Sequence, residues 1–432
     1  MDHVLHLTCL VCGRTHDPEA VAYVCPDHGN EGILDVGYDY DLIGKRISPA
    51  TLARNSDPTI WRYKPLLPVA PDSPVPALTV GGTPLYAAPR LAAAIGLSQL
   101  WVKDEGREPS ASFKDRASAI ALVRAQAQGA AVITTASTGN AAAALAGLCA
   151  SVAQENVIFV PAAAAPAKIA QLLAYGSRVV LVQGSYDQAF ELCLQAAAEY
   201  GWYNRNTAFN PYMTEGKKTA SYEICEQLRW NAPDAVFVGV GDGCIIGGLH
   251  KGFRDLLELG WIDHIPRLYG VQALGSSFLL QAWESGEDVL TKAPAPAETI
   301  ADSISAGLPR DRIKAMAAVR DTGGAFIGVS DDEILAAIPA LARGSGVFAE
   351  PAAAAAWAGC IKAAERGLVS GAERVVVVST GSGLKDVASA RRAVAASGPE
   401  PLTVAPDIDA LRAVMAVRRP GAEKRASLGN FQ

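Results

Sequence analysis

The sequence predicts an open α/β protein with parallel sheets, and three observations carry the prediction. From about residue 99 onward, short apolar runs alternate with alanine-rich segments of helical length. Those runs are continuously apolar and often β-branched, the pattern of parallel strands buried on both faces. With 432 residues, 50% of them hydrophobic and 19% charged, the chain can bury more than one core; that composition excludes a disordered chain and a coiled coil.

The expected strands are Leu100-Trp101-Val102, Ala131-Val132-Ile133, Val157-Ile158-Phe159-Val160, Val179-Val180-Leu181-Val182, Val236-Phe237-Val238, Leu268-Tyr269-Gly270-Val271 and the four valines 375–378. Helices are expected over 113–128, 140–153, 186–200 and 351–366, long enough for crossover connections. Ser112 is placed to cap the first of these, which puts Lys114 in its opening turn. Segments 65–76 and 293–297 read as connections, and 404–432 as a charged tail. There is no internal repeat. The uncharged stretch 130–153 is interrupted by Thr134, Thr135 and Ser137-Thr138-Gly139-Asn140, polar groups that a lipid-facing helix avoids. The N-terminus shows no basic segment leading into an apolar one, so no leader is expected and the protein is placed in the cytoplasm. A balance of 38 Lys+Arg against 44 Asp+Glu, net −6, disfavours nucleic acid as a partner.

The first forty residues stand apart, holding three of the eight cysteines and four of the six histidines. Cys9-x-x-Cys12, twelve residues, then Cys25-x-x-His28 has the spacing of two zinc knuckles, each turn presenting two ligands to a tetrahedral site. A structural Zn²⁺ on Cys9, Cys12, Cys25 and His28 is therefore expected, against the plainer reading of a reduced loop without metal. His3, His6 and His16 lack partner spacing and are expected to face solvent. The other five cysteines sit in apolar surroundings and read as small buried side chains.

Four polar loops follow expected strands, where an open α/β fold places its ligand-binding loops. Ser110-Ala111-Ser112-Phe113-Lys114-Asp115-Arg116 puts a lysine against a helix N-terminus, whose positive dipole end favours the neutral, nucleophilic amine; the alternative is a solvated lysine paired with Asp115. Ser137-Thr138-Gly139-Asn140 opens a helix, and its N–H groups and hydroxyls could hold a carboxylate or simply cap the helix. The glycine loop 239–248 lies between strand and helix and has the form of a phosphate cradle, without the dinucleotide spacing or a Walker lysine. Ser379-Thr380-Gly381-Ser382-Gly383-Leu384-Lys385-Asp386 is the fourth. No serine-hydrolase elbow and no zinc-protease motif is present.

Together these loops resemble those of the fold-type II pyridoxal-phosphate enzymes, and of the threonine synthase family in particular. The matching segments are Ser112 to Arg116, Ser137 to Asn140, the glycine loop after Val238, Phe348-Ala349-Glu350-Pro351 with the alanines after it, and Thr380 to Asp386; the ribbon leading into Ile33-Leu34-Asp35-Val36 is similar too. The resemblance runs from about residue 9 to 390. It implies two open parallel-sheet α/β lobes with pyridoxal 5′-phosphate between them, preceded by a zinc-ribbon-like segment: 1–40 the ribbon, 41–212 the lobe with the Schiff-base lysine, 213–400 the lobe with the phosphate loop, 401–432 a tail. Lys114 would be both the Schiff-base lysine and the catalytic proton carrier. Asn140 would bond the cofactor's phenolic oxygen, and Ser137, Thr138, Gly139 and Asn140 would hold the substrate carboxylate. Gly241, Asp242, Gly243, Cys244 and Ile245 would form the phosphate cup. Thr380 would face the ring nitrogen, where a hydroxyl instead of a carboxylate tempers the electron sink and suits elimination and replacement. Glu350 and Lys385 are assigned structure, and the carboxylate of Asp242 is expected to point outward from the cup. A homodimer is expected.

The departures from the family pattern bear on the substrate. Met213 stands where the family commonly carries an arginine that helps bind the phosphate of O-phosphohomoserine. Ala141, Thr207-Ala208 and Ser382 also depart, Ser382 replacing a histidine. Arg205, Lys217 and Lys218 are the nearby cations that could supply the missing charge. The leading expectation is therefore a lyase turning O-phospho-L-homoserine and water into L-threonine and phosphate. Its nearest rival is a pyridoxal-phosphate enzyme of β- or γ-replacement or elimination on another amino acid, cysteate-synthase-like or from specialised metabolism. A non-catalytic pyridoxal-phosphate-binding protein comes third, disfavoured by the intact Lys114 and Asn140.

Overall fold

In the computed structural model, residues 1–417 other than 138, 165 and 400 are described. Among these described residues, thirteen strands fall into three sheets. β1 (Val4–Cys9), β2 (Thr15–His16) and β3 (Leu34–Tyr38) form a small antiparallel sheet in the order β2-β1-β3. β4 (Leu85–Ala87), β5 (Gln99–Asp104), β10 (Ala235–Gly239), β11 (Arg267–Ala273), β12 (Ala325–Val329) and β13 (Arg374–Ser379) form a sheet in the order β12-β11-β10-β13-β5-β4. It is parallel except for β4, which runs antiparallel to β5 at the edge. β6 (Val132–Ala136), β7 (Glu155–Pro161), β8 (Arg178–Val182) and β9 (Tyr203–Asn204) form a parallel sheet in the order β8-β7-β6-β9.

All seven expected apolar runs fall on strands, Ala131 alone lying just outside β6, and β1, β2, β3, β4, β9 and β12 are additions. The six-stranded sheet takes strands from both sides of residue 212, because β5 pairs with β13 over its whole length. That pairing positions the site. β10, β13 and β5 are neighbours and parallel, so the loops after Gly239, Ser379 and Asp104 open side by side at one edge of the sheet. Valines 375–378 are fully buried, as the centre of a sheet covered on both faces requires.

The helix Lys114–Ala127 is buried over 115–125 and packs against the helix Tyr212–Lys217. Their approach depends on Gly216, where a Cβ would stand 2.1 Å from the Arg116 carbonyl oxygen. Beside it lies a buried ionic network. The Arg116 guanidinium pairs with Glu105 and Glu223 at 2.7 Å each, and Lys103 pairs with Glu223 at 2.7 Å. These bonds tie β5 and its following loop to the helix Thr219–Gln227.

Three local expectations are corrected. Phe113, not Ser112, precedes the first helical residue and gives no side-chain cap; the Ser112 hydroxyl is buried without a partner. The loop is braced instead by the Asp115 carboxylate, which accepts from the Ser110 N–H at 2.9 Å and hydroxyl at 2.7 Å. His3 does not face solvent: it is buried, its Nε2 2.7 Å from the Leu67 carbonyl. The expected charged tail contains a helix, Ile408–Val417, and its remainder lies outside the described residues.

Candidate functional site

Lys114 is the first residue of its helix, at the end where the macrodipole is positive. No carboxylate lies within salt-bridge distance of its amine among the described residues, and Asp115 is spent on Ser110. Burial pushes the Lys114 amine below the usual lysine range, against the pull of Cys244 and Glu350 and with Arg205 adding repulsion. A lysine whose neutral form is favoured in this way can serve as a nucleophile and a proton carrier. Its loop is laced to the loop after β13: the Phe113 N–H donates to the Thr380 carbonyl at 2.9 Å and the Ser382 N–H to the Ala111 carbonyl at 3.0 Å.

The glycine loop after β10 ends in the helix Cys244–Glu258. Gly243 precedes that helix with φ +89° and supplies no side-chain cap, so the first-turn N–H groups are left for an outside acceptor. A Cβ at Gly243 would come within 2.7 Å of the Ala315 Cβ, so only glycine gives this path. Such a cradle attracts an anion. Asp242 does not spoil it: its Oδ1 accepts from the Arg310 N–H at 3.2 Å, and burial raises its carboxyl above the usual range. Cys244 and Ile245 open the helix, and burial carries the Cys244 thiol well above its ordinary value. A phosphate-bearing aldehyde cofactor fits this donor set, with a cradle for its phosphate and a carboxylate-free amine for its carbonyl.

Across the site, Asn140 opens the helix Asn140–Ser151, and its side-chain Nδ2 donates to Glu350 Oε1 at 2.8 Å. Gly139 before it offers no side-chain cap, and its N–H donates to the Ser137 hydroxyl at 3.2 Å. This is a second uncapped helix N-terminus. Thr138 lies outside the described residues. Glu350 is buried, which raises its carboxyl above the usual range, and it spans to Asn140 from the start of the helix Pro351–Glu365. Lys385 is held by the Ser110 carbonyl at 2.8 Å. Thr380 is buried at the end of β13. Its neighbour Ser379, which sequence reasoning passed over, carries a buried hydroxyl without a partner; its only sequence signal was adjacency to Thr380.

The three nearby cations differ in their surroundings. Lys218 is consumed by Glu215 at 2.7 Å and Asp255 at 2.8 Å, which removes it as a source of free charge. Arg205 and Lys217 have no carboxylate within salt-bridge distance among the described residues, and both reach the Thr207 hydroxyl, at 3.1 and 3.5 Å. Met213 is fully buried in the apolar core. A shallow cleft lined by Asn30, Glu31, Phe190, Thr207, Arg310 and Arg312 opens beside this group.

The N-terminal segment gathers Cys9, Cys12, Cys25 and His28 so that one ligand atom from each lies within 4.8 Å of the others. The Sγ atoms of Cys9 and Cys25 stand 4.0 and 3.6 Å from His28 Nδ1. Bonds of about 2.3 Å to sulfur and about 2.0–2.1 Å to nitrogen give tetrahedron edges of roughly 3.5–3.8 Å. The segment also touches the site. The Tyr23 hydroxyl accepts from the Asn204 N–H at 2.9 Å and its ring stacks near Phe209, while Glu31 pairs with Arg312.

The family description "pyridoxal-phosphate dependent enzyme" matches residues 77–381. Threonine synthase of Methanocaldococcus jannaschii is 38% identical over 410 residues, covering 94% of this chain and 98% of that protein. The threonine synthase of Methanosarcina acetivorans is 39% identical with the same coverage, and that of Mycobacterium tuberculosis is 36% identical over 79% of this chain and 92% of its own length. Among solved structures, threonine deaminase isoform 2 of Solanum lycopersicum superposes with a TM-score of 0.63 at 23% identity, over 73% of this chain and 88% of that one. Diaminopropionate ammonia lyase of Escherichia coli gives 0.62 at 20%, over 72% and 87%. These superpositions place the fold among the fold-type II pyridoxal-phosphate enzymes.

Proposed function

This chain belongs to the pyridoxal-phosphate dependent enzymes and, within them, to the threonine synthase family, and from that premise we propose that it turns O-phospho-L-homoserine and water into L-threonine and phosphate. The observation that carries this reading is Lys114: a half-buried lysine at a helix N-terminus, without a carboxylate partner among the described residues, in a loop joined through Thr380 and Ser382 to the strand beside the glycine cradle. When bound, pyridoxal phosphate supplies the electron sink that eases proton loss from the substrate and departure of its phosphate. The chain's own residues do the rest. Gly241, Asp242, Gly243, Cys244 and Ile245 hold the cofactor phosphate through backbone N–H groups. Asn140 and Thr380 would orient the cofactor ring. The uncapped helix end at Ser137, Thr138, Gly139 and Asn140 receives the substrate carboxylate. Lys114 carries the protons, removing them at Cα and Cβ and returning them at Cγ and, last, at Cα, while water adds its hydroxyl at Cβ and its remaining proton leaves with the phosphate. Glu350 positions Asn140 through their hydrogen bond.

Cys9, Cys12, Cys25 and His28 are proposed to hold a structural Zn²⁺. No described helix is long and apolar enough to cross a membrane; we place the protein in the cytoplasm as a homodimer. The division into 1–40, 41–212, 213–400 and a tail is kept as a working partition. The burial of Met213 favours a second reading, a related replacement or elimination on an amino acid with another leaving group. Incubation with O-phosphohomoserine, with Lys114→Ala as the blank, separates the two. Phosphate and threonine formed only by the natural protein support the first reading; a substrate-induced change in cofactor absorbance without phosphate release supports the second.

A further inference from the structure

Most buried cations among the described residues are neutralised by carboxylates. Arg116 has Glu105 and Glu223, Lys218 has Glu215 and Asp255, and Lys251 has Asp35. Arg124 is held instead by the Pro68 carbonyl and the Tyr212 ring, and Arg205 and Lys217 have hydroxyl partners alone. Arg205 is 1% exposed; its Nε donates to the Ser118 hydroxyl at 3.1 Å, its Nη1 to the Thr207 hydroxyl at 3.1 Å, and its Nη2 has no partner. Lys217 is 0% exposed, and among the described residues its amine bonds only the same Thr207 hydroxyl, at 3.5 Å. Two head groups that reach one hydroxyl oxygen lie close together and repel, and an anion received between them would relieve that repulsion. Asp311 pulls on Lys217 from a distance, but neither of its oxygens bonds any cation.

We propose that Arg205 and Lys217 form the seat for a doubly charged oxyanion on the far end of the substrate, the phosphate that departs in the reaction. This rests on the threonine synthase reading and assigns to this chain's own residues the charge that Met213 does not supply. Arg205 leaves β9 with its N–H bonded to the Thr134 carbonyl at 2.9 Å, so it stands beside the strand that feeds the Ser137 loop. Lys217 ends a helix packed on the helix that Lys114 begins. The cofactor's own phosphate is the other dianion within reach, since Lys217 also abuts Gly248 in the helix behind the cradle. The cradle already offers that phosphate an uncapped helix end, which leaves Arg205 and Lys217 to the substrate.

The test compares the holoenzyme with Lys217→Gln, Lys217→Arg and Arg205→Lys. It reads cofactor content by visible absorbance, KM and kcat for O-phosphohomoserine, the inhibition constant of inorganic phosphate, and binding of L-norvaline, which has no phosphate. Lys217→Gln is expected to raise both KM and the phosphate inhibition constant about ten- to hundred-fold, the weight of one charge-assisted bond. Norvaline binding and cofactor content should stay within about twofold, and Lys217→Arg should restore much of the loss. Loss of cofactor with unchanged KM would assign the pair to the cofactor phosphate and overturn the proposal. Parallel weakening of norvaline would show a structural role and overturn it equally. If the natural protein binds inorganic phosphate through Lys217 but releases none from O-phosphohomoserine, the seat stands and the substrate reading fails; if it binds no phosphate, the seat fails.

Discussion

Burial pushes the Lys217 amine down to about 8, with Arg205 and Lys114 adding repulsion and Cys244 and Asp311 pulling the other way. Below that value the lysine is charged, and above it the charge is lost. A phosphate monoester carries two charges only above its second pKa near 6. Affinity for the phosphorylated substrate is therefore expected to be greatest between about pH 6.5 and 8, and KM to climb as pH rises past 8. Lys217→Arg should abolish that climb, because a guanidinium stays protonated. A pH series of KM for both proteins checks it. Arg116 belongs to the frame and not to the chemistry. Replacing it by methionine leaves Glu105 and Glu223 buried without their shared cation, at a cost of about 3–5 kcal/mol, read as a lower denaturation midpoint. What separates Lys217 from Lys218 was not legible in the sequence. Lys218 meets Asp255, thirty-seven positions away, and only the fold brings them together.

Helix ends and strand ends do most of the positioning. Gly243→Ala would place a Cβ against Ala315 at a φ of +89°, which strains the cradle. Cofactor affinity should fall at least tenfold while the secondary structure stays intact, as titration of the apoprotein with pyridoxal phosphate would reveal. The ribbon acts at a distance from the chemistry through Tyr23 on Asn204 and Glu31 on Arg312, so it braces the segment that carries Arg205 and Thr207. Zinc removal, or Cys12→Ser, is expected to raise KM for O-phosphohomoserine several-fold before any cofactor is lost. Unchanged kinetics in a metal-free protein would separate ribbon and site. Seven strands were legible because parallel strands buried on both faces are apolar without alternation. β4 and β9 were not, at three and two residues, and β12 is a short run whose place beside β11 is a tertiary fact. Ser112 misled because its hydroxyl points into a buried space instead of back to the helix.

At the scale of the molecule, the decisive feature is the adjacency of β10, β13 and β5, which sets the cradle, Thr380 and the Lys114 loop side by side. Chain order alone hides this, since β5 and β13 are about 270 residues apart and the segment holding β6 to β9 lies between them. The motifs that carry the chemistry were nonetheless readable, because each is a short loop at a strand end with glycines, hydroxyls and one lysine in fixed order. Its substrate was less readable, because the charge expected at position 213 is provided from elsewhere in the fold. A site that both expels phosphate and adds water is tested by counting phosphate and L-threonine in the same reaction. One phosphate is expected for each threonine, with neither formed by Lys114→Ala. Phosphate accompanied by ammonia and a keto acid in place of threonine would contradict it.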